Sequence, residues 1–352
     1  MKLSEVLEQI RPADHRAIAA ARAHWDTVAH PLNSLGLLEE AITRIAGASG
    51  SAQVDLSKRA VVAMCADNGV VAEGVTQSGQ EVTAIVAENM ARGTSSVCCM
   101  ARVAKADVVP VDIGIATPVD GPRLLRRNIR RGTANLSVGP AMTREECEKA
   151  ILVGVEIVQD LSKQGYRLLA TGEMGIGNTT TSAAVASVLL RQDPALVTGR
   201  GAGLSTAGLQ RKVEAIRRGL DINRPDPEDA VDVLSKVGGL DIAGLTGVFL
   251  GGALCHIPVL IDGLISSVAA LCAVRLCPAA LDYMLASHAS NEPAGRMLLD
   301  ALGLRPIICA DMCLGEGTGA VALMPLLDMA LTLYRDMSSF TEYNMEAYEH
   351  LT

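Results

Sequence analysis

Short apolar runs without polar alternation recur along the chain, at Ala60–Asp67, Asp107–Ile115, Tyr166–Glu173, Pro258–Gly263 and Pro306–Leu314. Each ends at or beside a glycine or an acid, and a stretch with helical spacing follows. A strand buried on both faces has no polar face to show, so these runs predict parallel strands and the intervening helices predict βαβ units. The architecture expected is α/β, a doubly wound parallel sheet with helices on both faces. Ligands of such sheets sit at the carboxyl ends of the strands, where the glycines and acids of these runs fall. The chain ends follow a different pattern. Glu5–Ile10, Arg16–Trp25 and Gly36–Ile45 have apolar residues at helical spacing, as does the end from Met324 to Leu351. Residues 1–50 and 326–352 are therefore expected to form a small helical domain beside a large α/β domain of residues 51–325. Arg224–Glu228 (RPDPE) is the clearest surface turn.

Composition narrows this picture. Hydrophobic residues make up 49% of the 352 residues and aromatics only 2%, so the core must be built from small aliphatic side chains packed against 33 glycines. The mean hydropathy of +0.28 raises the question of a membrane protein. The apolar runs are short, stretches such as Ile257–Val274 being broken by Asp262 and Gly263, and no run reaches the roughly 18 uninterrupted apolar residues of a membrane span. The formal charge of −8 disfavours nucleic acid as a ligand, because such binding is driven by clustered Lys and Arg. The one basic cluster, Arg123–Arg131, lacks aromatics for base stacking and reads as a solvated loop or subunit edge. The opening MKLSEVLEQIRP is amphipathic with no signal-peptide core, and the nine cysteines lack CxxC spacing. A cytoplasmic protein with reduced thiols and no metal site is expected.

Three glycine-rich segments carry candidate chemistry. Thr171–Thr180 (TGEMGIGNTT) lies between an expected strand and a helix from about Thr181. Glycines let the backbone approach a ligand, and Asn178 or Thr179 is placed to cap a helix whose N-terminus favours an anion. Gly199–Gly203 (GRGAG) precedes a helix that Ser205 or Thr206 could cap and that carries Lys212. A point charge beside backbone donors suits a phosphate monoester, although Lys212 on its own reads as a surface lysine. Gly315–Gly319 (GEGTG) sits between the run Pro306–Leu314 and the helix Ala320–Leu331, which makes Glu316 a candidate general base. In Ser287–Glu292 (SHASNE), His288 has neither a GxSxG partner nor an acid at a telling spacing, so a structural or ligand-positioning use is expected.

These segments, in this order, resemble the nicotinate-nucleotide:dimethylbenzimidazole phosphoribosyltransferase family. The likeness extends over nearly the whole chain, through Pro31–Gly36, Ala66–Val70, Glu73–Val75, Val82-Thr83, Arg92–Thr94, Asp112–Gly114, Lys236–Asp241, Pro258–Gly263 and Leu314–Gly319. The resemblance implies a Rossmann-like large domain, a small helical domain from both chain ends and a dimer. It implies Glu316 as the proton acceptor and Glu173 as a second catalytic carboxylate. The phosphate and ribose would lie against Gly175, Gly177, Asn178, Thr179, Gly201, Gly203, Lys212 and Ser290, and the accepting base against Ser78, Gln80, Val86 and Leu314. The chain departs from the family at Asn68, where the ADHG segment carries histidine, and at Thr76–Gln80, where a proline precedes the glutamine. These departures fall on the acceptor pocket. A branch of the family built from paired non-identical subunits attaches phenols.

The reaction implied needs no metal or cofactor. In nicotinate mononucleotide the leaving group is already a pyridinium, so departure from C1′ requires no acid. A benzimidazole or phenol must lose a proton as it bonds to C1′, and one carboxylate serves. The partners expected are thus nicotinate mononucleotide and an aromatic base, 5,6-dimethylbenzimidazole or phenol and p-cresol, with the chain in a homodimer or a heterodimer with a paralogous subunit. The alternative is a catalytically silent partner subunit of a heterodimeric enzyme, against which the retention of Glu316, Glu173 and Lys212 argues. A Rossmann dehydrogenase fails for want of GxGxxG followed by an acid at the right distance.

Overall fold

A computed structural model describes residues 2–350. The chain runs α1 (Leu3–Leu7), α2 (His15–Thr27), α3 (Leu37–Ser49), β1 (Arg59–Ala66), α4 (Glu81–Arg92), α5 (Ser96–Val103), β2 (Asp107–Gly114), β3 (Leu125–Arg126), α6 (Arg144–Lys163), β4 (Leu168–Met174) and α7 (Asn178–Leu190). It continues through α8 (Pro194–Val197), α9 (Thr206–Asn223), α10 (Ala230–Val237), α11 (Leu240–Leu254), β5 (Val259–Ile261), α12 (Leu264–Leu276), β6 (Met284–Ala286), α13 (Pro293–Leu302) and α14 (Thr318–Asp336). Short 3-10 turns at Gly69–Glu73 and Pro278–Tyr283 complete it. The six strands form one parallel sheet in the order β3-β2-β1-β4-β5-β6.

All eight residues of β1 are buried, which explains its unbroken apolar run. Successive side chains point to opposite faces of a strand. Val62, Met64 and Ala66 accordingly join the core beneath α6, α11 and α12, while Val61, Ala63 and Cys65 join the core beneath α3, α4 and α14. Fourteen residues of α11, Leu240–Ala253, are buried, the condition of a helix that is apolar all round. It crosses α6 at glycines: a Cβ on Gly247 would lie 1.8 Å from the Ile151 carbonyl oxygen, and one on Gly154 would lie 2.1 Å from that of Gly244. Backbone meets backbone there, which is how a core poor in aromatics is filled.

Four of the five apolar runs become strands. Pro306–Leu314 does not: within it only Ile308 pairs, in a single bridge to His288, and Cys309, Asp311, Cys313 and Leu314 are exposed. The strand in that part of the sheet is Met284–Ala286, only three residues long. The C-terminal segment also differs from expectation. Helix α14 ends at Asp336, and residues 337–350 continue without a helix, tied back by the Val28–Ser339 bridge and by the Asp26–His350 contact at 3.0 Å. Leu351 and Thr352 lie outside the described residues. Among the described residues no helix is long and apolar enough to cross a membrane.

Candidate active site

The carboxyl ends of β1, β4, β5 and β6 run into Asp67-Asn68, Glu173-Met174, Asp262 and Ser287-His288. Over this edge lies a cavity of about 230 Å³ whose walls include Glu173, Gly175, Asn178, Thr179, Gly201, Asp262, His288, Ser290, Glu292, Leu314 and Glu316. A smaller recess of about 90 Å³ shares Gly175, Asn178, Thr179 and Gly201 with it and adds Ser78 and Gly177. Most of the residues singled out in the sequence are thus brought together. Gln80 and Val86 are not on either wall: Gln80 precedes α4 and donates to the Asn68 carbonyl at 3.2 Å, and Val86 packs into the core beneath α4. Gly203 also lines neither, and its carbonyl accepts from the Gln77 amide. A larger cleft of about 590 Å³ lies among α2 and α3, away from the strand ends, and holds none of the glycine loops.

Lys212 is 1% exposed, contrary to a surface lysine. It falls on the buried stripe of α9 with Gly208, Ala215, Ile216 and Gly219, and Ser205 caps that helix by accepting from the Gly208 N–H at 3.1 Å. The ammonium donates to Thr179 Oγ1 at 2.8 Å and to the Gly199 carbonyl at 3.1 Å. Burial pulls its pKa down to about 8, which a nearby Glu292 partly opposes. Helix α7 begins at Asn178 rather than Thr181, and its N-cap is Gly177 at φ +92°, so neither Asn178 nor Thr179 caps it. Those side chains are free to serve elsewhere: Thr179 holds Lys212, and Asn178 donates to Glu173.

Two kinds of carboxyl group face this space. Glu173 is 7% exposed. Burial, reinforced by the charge of Asp241, raises its pKa to about 8, against hydrogen bonds from Asn178 and the Glu316 backbone N–H. Asp241, at the start of α11, is likewise raised to about 7 by burial. Glu173 is therefore mostly a neutral acid at pH 7. Glu316 is different. It lies on the loop before α14 with φ +61°, and its Oε2 accepts from the Val97 N–H in the first turn of α5 at 3.0 Å. The loop can lie so close to β4 because residue 172 is glycine: a Cβ there would sit 2.3 Å from the Glu316 carbonyl oxygen.

Asp262, Asp241 and Glu292 were not marked as site residues by the sequence. Asp262 is 4% exposed and its Oδ1 accepts from the Gly319 and Ala320 N–H groups at 2.8 and 3.0 Å, tying β5 to the first turn of α14. Burial raises its pKa, which the adjacent His288 opposes. The available signal was an acid closing an apolar strand run. His288 is buried and its Nδ1 lies 3.1 Å from Ser287 Oγ, consistent with the structural or positioning use expected of it.

The raised pKa of Glu173 has a measurable consequence. A carboxyl group whose folded-state pKa lies above the unfolded value of about 4.5 contributes stability that is complete below that value and is lost as pH rises through about 8. The Tm of the wild type should fall between about pH 5 and about pH 9, and that of Glu173→Gln should fall less, Asp241 accounting for the remainder. Equal slopes in thermal melts of the two proteins would show that Glu173 does not titrate in this window.

A parallel α/β sheet that gathers glycine loops, a buried lysine and paired carboxyl groups at its carboxyl edge defines an enzyme of the nucleotide-handling class. A family profile described as phosphoribosyltransferase matches residues 10–345. This chain belongs to that phosphoribosyltransferase family, as the sequence resemblance implied. It is 44% identical to the nicotinate-nucleotide–dimethylbenzimidazole phosphoribosyltransferase of Ruminiclostridium cellulolyticum, over 100% of both chains. It is 46% identical to that of Acetivibrio thermocellus, over 99% of each, and 42% identical to that of Escherichia coli K12, over 97% of this chain and 96% of the other. The crystal structure of CobT from Thermus thermophilus superposes with a TM-score of 0.90 at 41% identity, covering 95% of this chain and 100% of that one.

Proposed function

We propose that this chain transfers the 5-phosphoribosyl group of nicotinate mononucleotide to an aromatic base, 5,6-dimethylbenzimidazole or a phenol, releasing nicotinate. The observation that carries the reading is one cavity walled by Glu316 together with Thr179 and Gly201, beside which the Lys212 ammonium is buried. Lys212, Thr179 and the loops at Gly175, Gly177, Gly201 and Gly203 hold the phosphate and ribose, with Asn178 and Ser290. Leu314 and Ser78 border the acceptor, and Gln80 and Val86 shape it from behind. The C1′–N bond to the pyridinium breaks and its electron pair stays with nicotinate. A lone pair of the acceptor forms the new bond to C1′, and its N–H or O–H proton passes to the Glu316 carboxylate. Attack opposite the leaving group converts the β-anomer to the α-anomer. Glu173, protonated near neutrality, acts by holding Asn178 and the Glu316 backbone in place and by keeping a second negative charge away from the base. No step calls on a metal or cofactor.

The same reading includes a small domain to which residues 1–50 contribute helices and the chain from 326 onward contributes the end of α14 and the non-helical segment 337–350. It is supported by α2 packing on α3 and by edge-to-face contacts of Trp25 and His24 with Tyr334, with ring centroids 4.8 and 4.3 Å apart. It also includes a dimer, since Leu314 stands 60% exposed at the cavity mouth where a second subunit would cover it. A cytoplasmic location accords with nine cysteines that all lie free.

The test is product formation from nicotinate mononucleotide with a panel of benzimidazoles, purines and phenols, run with the chain alone and with a paralogous subunit. We expect turnover of 5,6-dimethylbenzimidazole by the chain alone. Turnover of phenol or p-cresol is expected as well, because an apolar slot discriminates near-isosteres by only about 1–3 kcal/mol per methylene. Failure with every acceptor in both arrangements would exclude the transferase reading, and exclusion of phenols alone would restrict the acceptors to azoles.

A further inference from the structure

The interior of the Gly199–Gly203 loop already contains an anion. Glu292, at the start of α13, reaches back so that its Oε1 accepts from the Gly201 N–H at 3.1 Å. Its Oε2 is buried with no hydrogen-bond partner and lies against Gly199 so closely that a Cβ there would come within 1.8 Å of it. A carboxylate oxygen left unpaired in a buried place is costly, so the placement calls for a reason. Gly201 supplies it. A Cβ built on Gly201 would stand 2.9 Å from Thr179 Oγ1 and 3.6 Å from Lys212 Nζ. The N–H that Glu292 occupies is therefore next to the two groups assigned to the phosphate. Glu292 makes no ion pair with Lys212 among the described residues; it occupies a donor of the anion site instead.

We propose that Glu292 is a built-in competitor of the phosphate: its carboxylate takes the Gly201 N–H in the empty enzyme and must leave it when the donor's phosphate monoester arrives. The consequence is low occupancy by free anions, because the cost of displacing Glu292 falls on every phosphate and only the nucleotide has further contacts to offset it. A free anion gains only the loop, the lysine and the hydroxyl, and it must also displace a negative charge. A phosphorylated nucleotide adds its ribose and pyridinium contacts and overcomes that resistance. This inference rests on the assignment of phosphate to Lys212, Thr179 and Gly201, and the experiment separates the two.

Titration calorimetry with inorganic phosphate at fixed pH and ionic strength should be run on the wild type, Glu292→Gln, Glu292→Ala and Lys212→Met. Both Glu292 variants are expected to bind phosphate about tenfold more tightly, which corresponds to about 1.4 kcal/mol, and Lys212→Met is expected to bind it more weakly. The glutamine can still accept from Gly201, so a side chain that merely braces the loop predicts unchanged binding in Glu292→Gln and weaker binding in Glu292→Ala. That pattern, with Lys212→Met still weakened, overturns the competitor role and leaves the phosphate assignment standing. Phosphate binding indifferent to Lys212→Met overturns both. Should one Glu292 variant fail to fold, the other gives the same sign. The kinetic counterpart is stronger inhibition: inorganic phosphate should inhibit turnover of nicotinate mononucleotide at lower concentration in the Glu292 variants than in the wild type.

Discussion

Glu316→Gln should retain the fold and bind nicotinate mononucleotide yet turn over about two orders of magnitude or more slowly, since a positioned general base typically contributes about 10²–10⁴-fold. The reason is geometric as well as chemical. Glu316 sits at a left-handed backbone position, and its carboxylate is fixed by the Val97 N–H at one oxygen. Glutamine keeps the volume and can accept from the same N–H, so the loop should not move. What it lacks is a basic oxygen for the acceptor's proton. Because that oxygen serves the acceptor and not the donor, the loss should appear in kcat, with the dissociation constant of nicotinate mononucleotide little changed. Rates close to the wild type would remove Glu316 from the chemistry and direct attention to Asp262.

Replacing Lys212 should damage the other half of the site. Loss of a charge-assisted hydrogen bond costs about 1.5–3 kcal/mol, or roughly 10- to 100-fold in affinity. Lys212→Met, which fills the buried volume of the stem, should therefore weaken nicotinate mononucleotide by that factor and leave the free aromatic base unaffected. Lys212→Ala should do so more severely, because it also opens a cavity beneath Thr179. Nicotinate riboside, which lacks the phosphate, should bind poorly to the wild type and be indifferent to either substitution. A pH series adds an independent check. The lysine loses its charge as pH rises through about 8, so the wild-type dissociation constant for nicotinate mononucleotide should increase above that pH and that of Lys212→Met should not. Weakened binding of the base alone would place Lys212 in the acceptor pocket.

The sequence disclosed the long strands and the chemistry at their ends because both leave unambiguous local marks. A strand covered on both faces must be apolar throughout, as Arg59–Ala66 is after its first residue, and a backbone that approaches a ligand must be glycine-rich. What it concealed depends on partners distant in the chain. Pro306–Leu314 has the composition of a strand, but the place beside β5 is taken by the three residues Met284–Ala286, too short to stand out. Lys212 looked like a surface residue because its charge outweighed its position. Its helical spacing from Gly208 on one side and from Ala215 and Ile216 on the other was the signal that it lay on a buried stripe. The capping of α7 was misassigned for a related reason: Gly177 takes the left-handed cap position itself and releases Asn178 and Thr179 for Glu173 and Lys212. The proton balance among Glu173, Asp241 and Asp262 could not be read at all, since it arises from the burial of groups on strands and helices far apart in the chain.

Helix α11, buried on every side, has a bearing on how the chain reaches its folded state. It leaves the ribosome well after β1, β2 and α6, yet all three depend on it for cover. Until residue 254 is available, a nascent chain must carry their apolar faces toward water. Exposed strand edges and apolar surface are the features that recruit other chains into aggregates. Nor can the helix settle first, because it has no polar face on which to rest. The glycines that let it lie backbone to backbone against α6 thus tie the burial of three earlier elements to a helix that follows them in the chain.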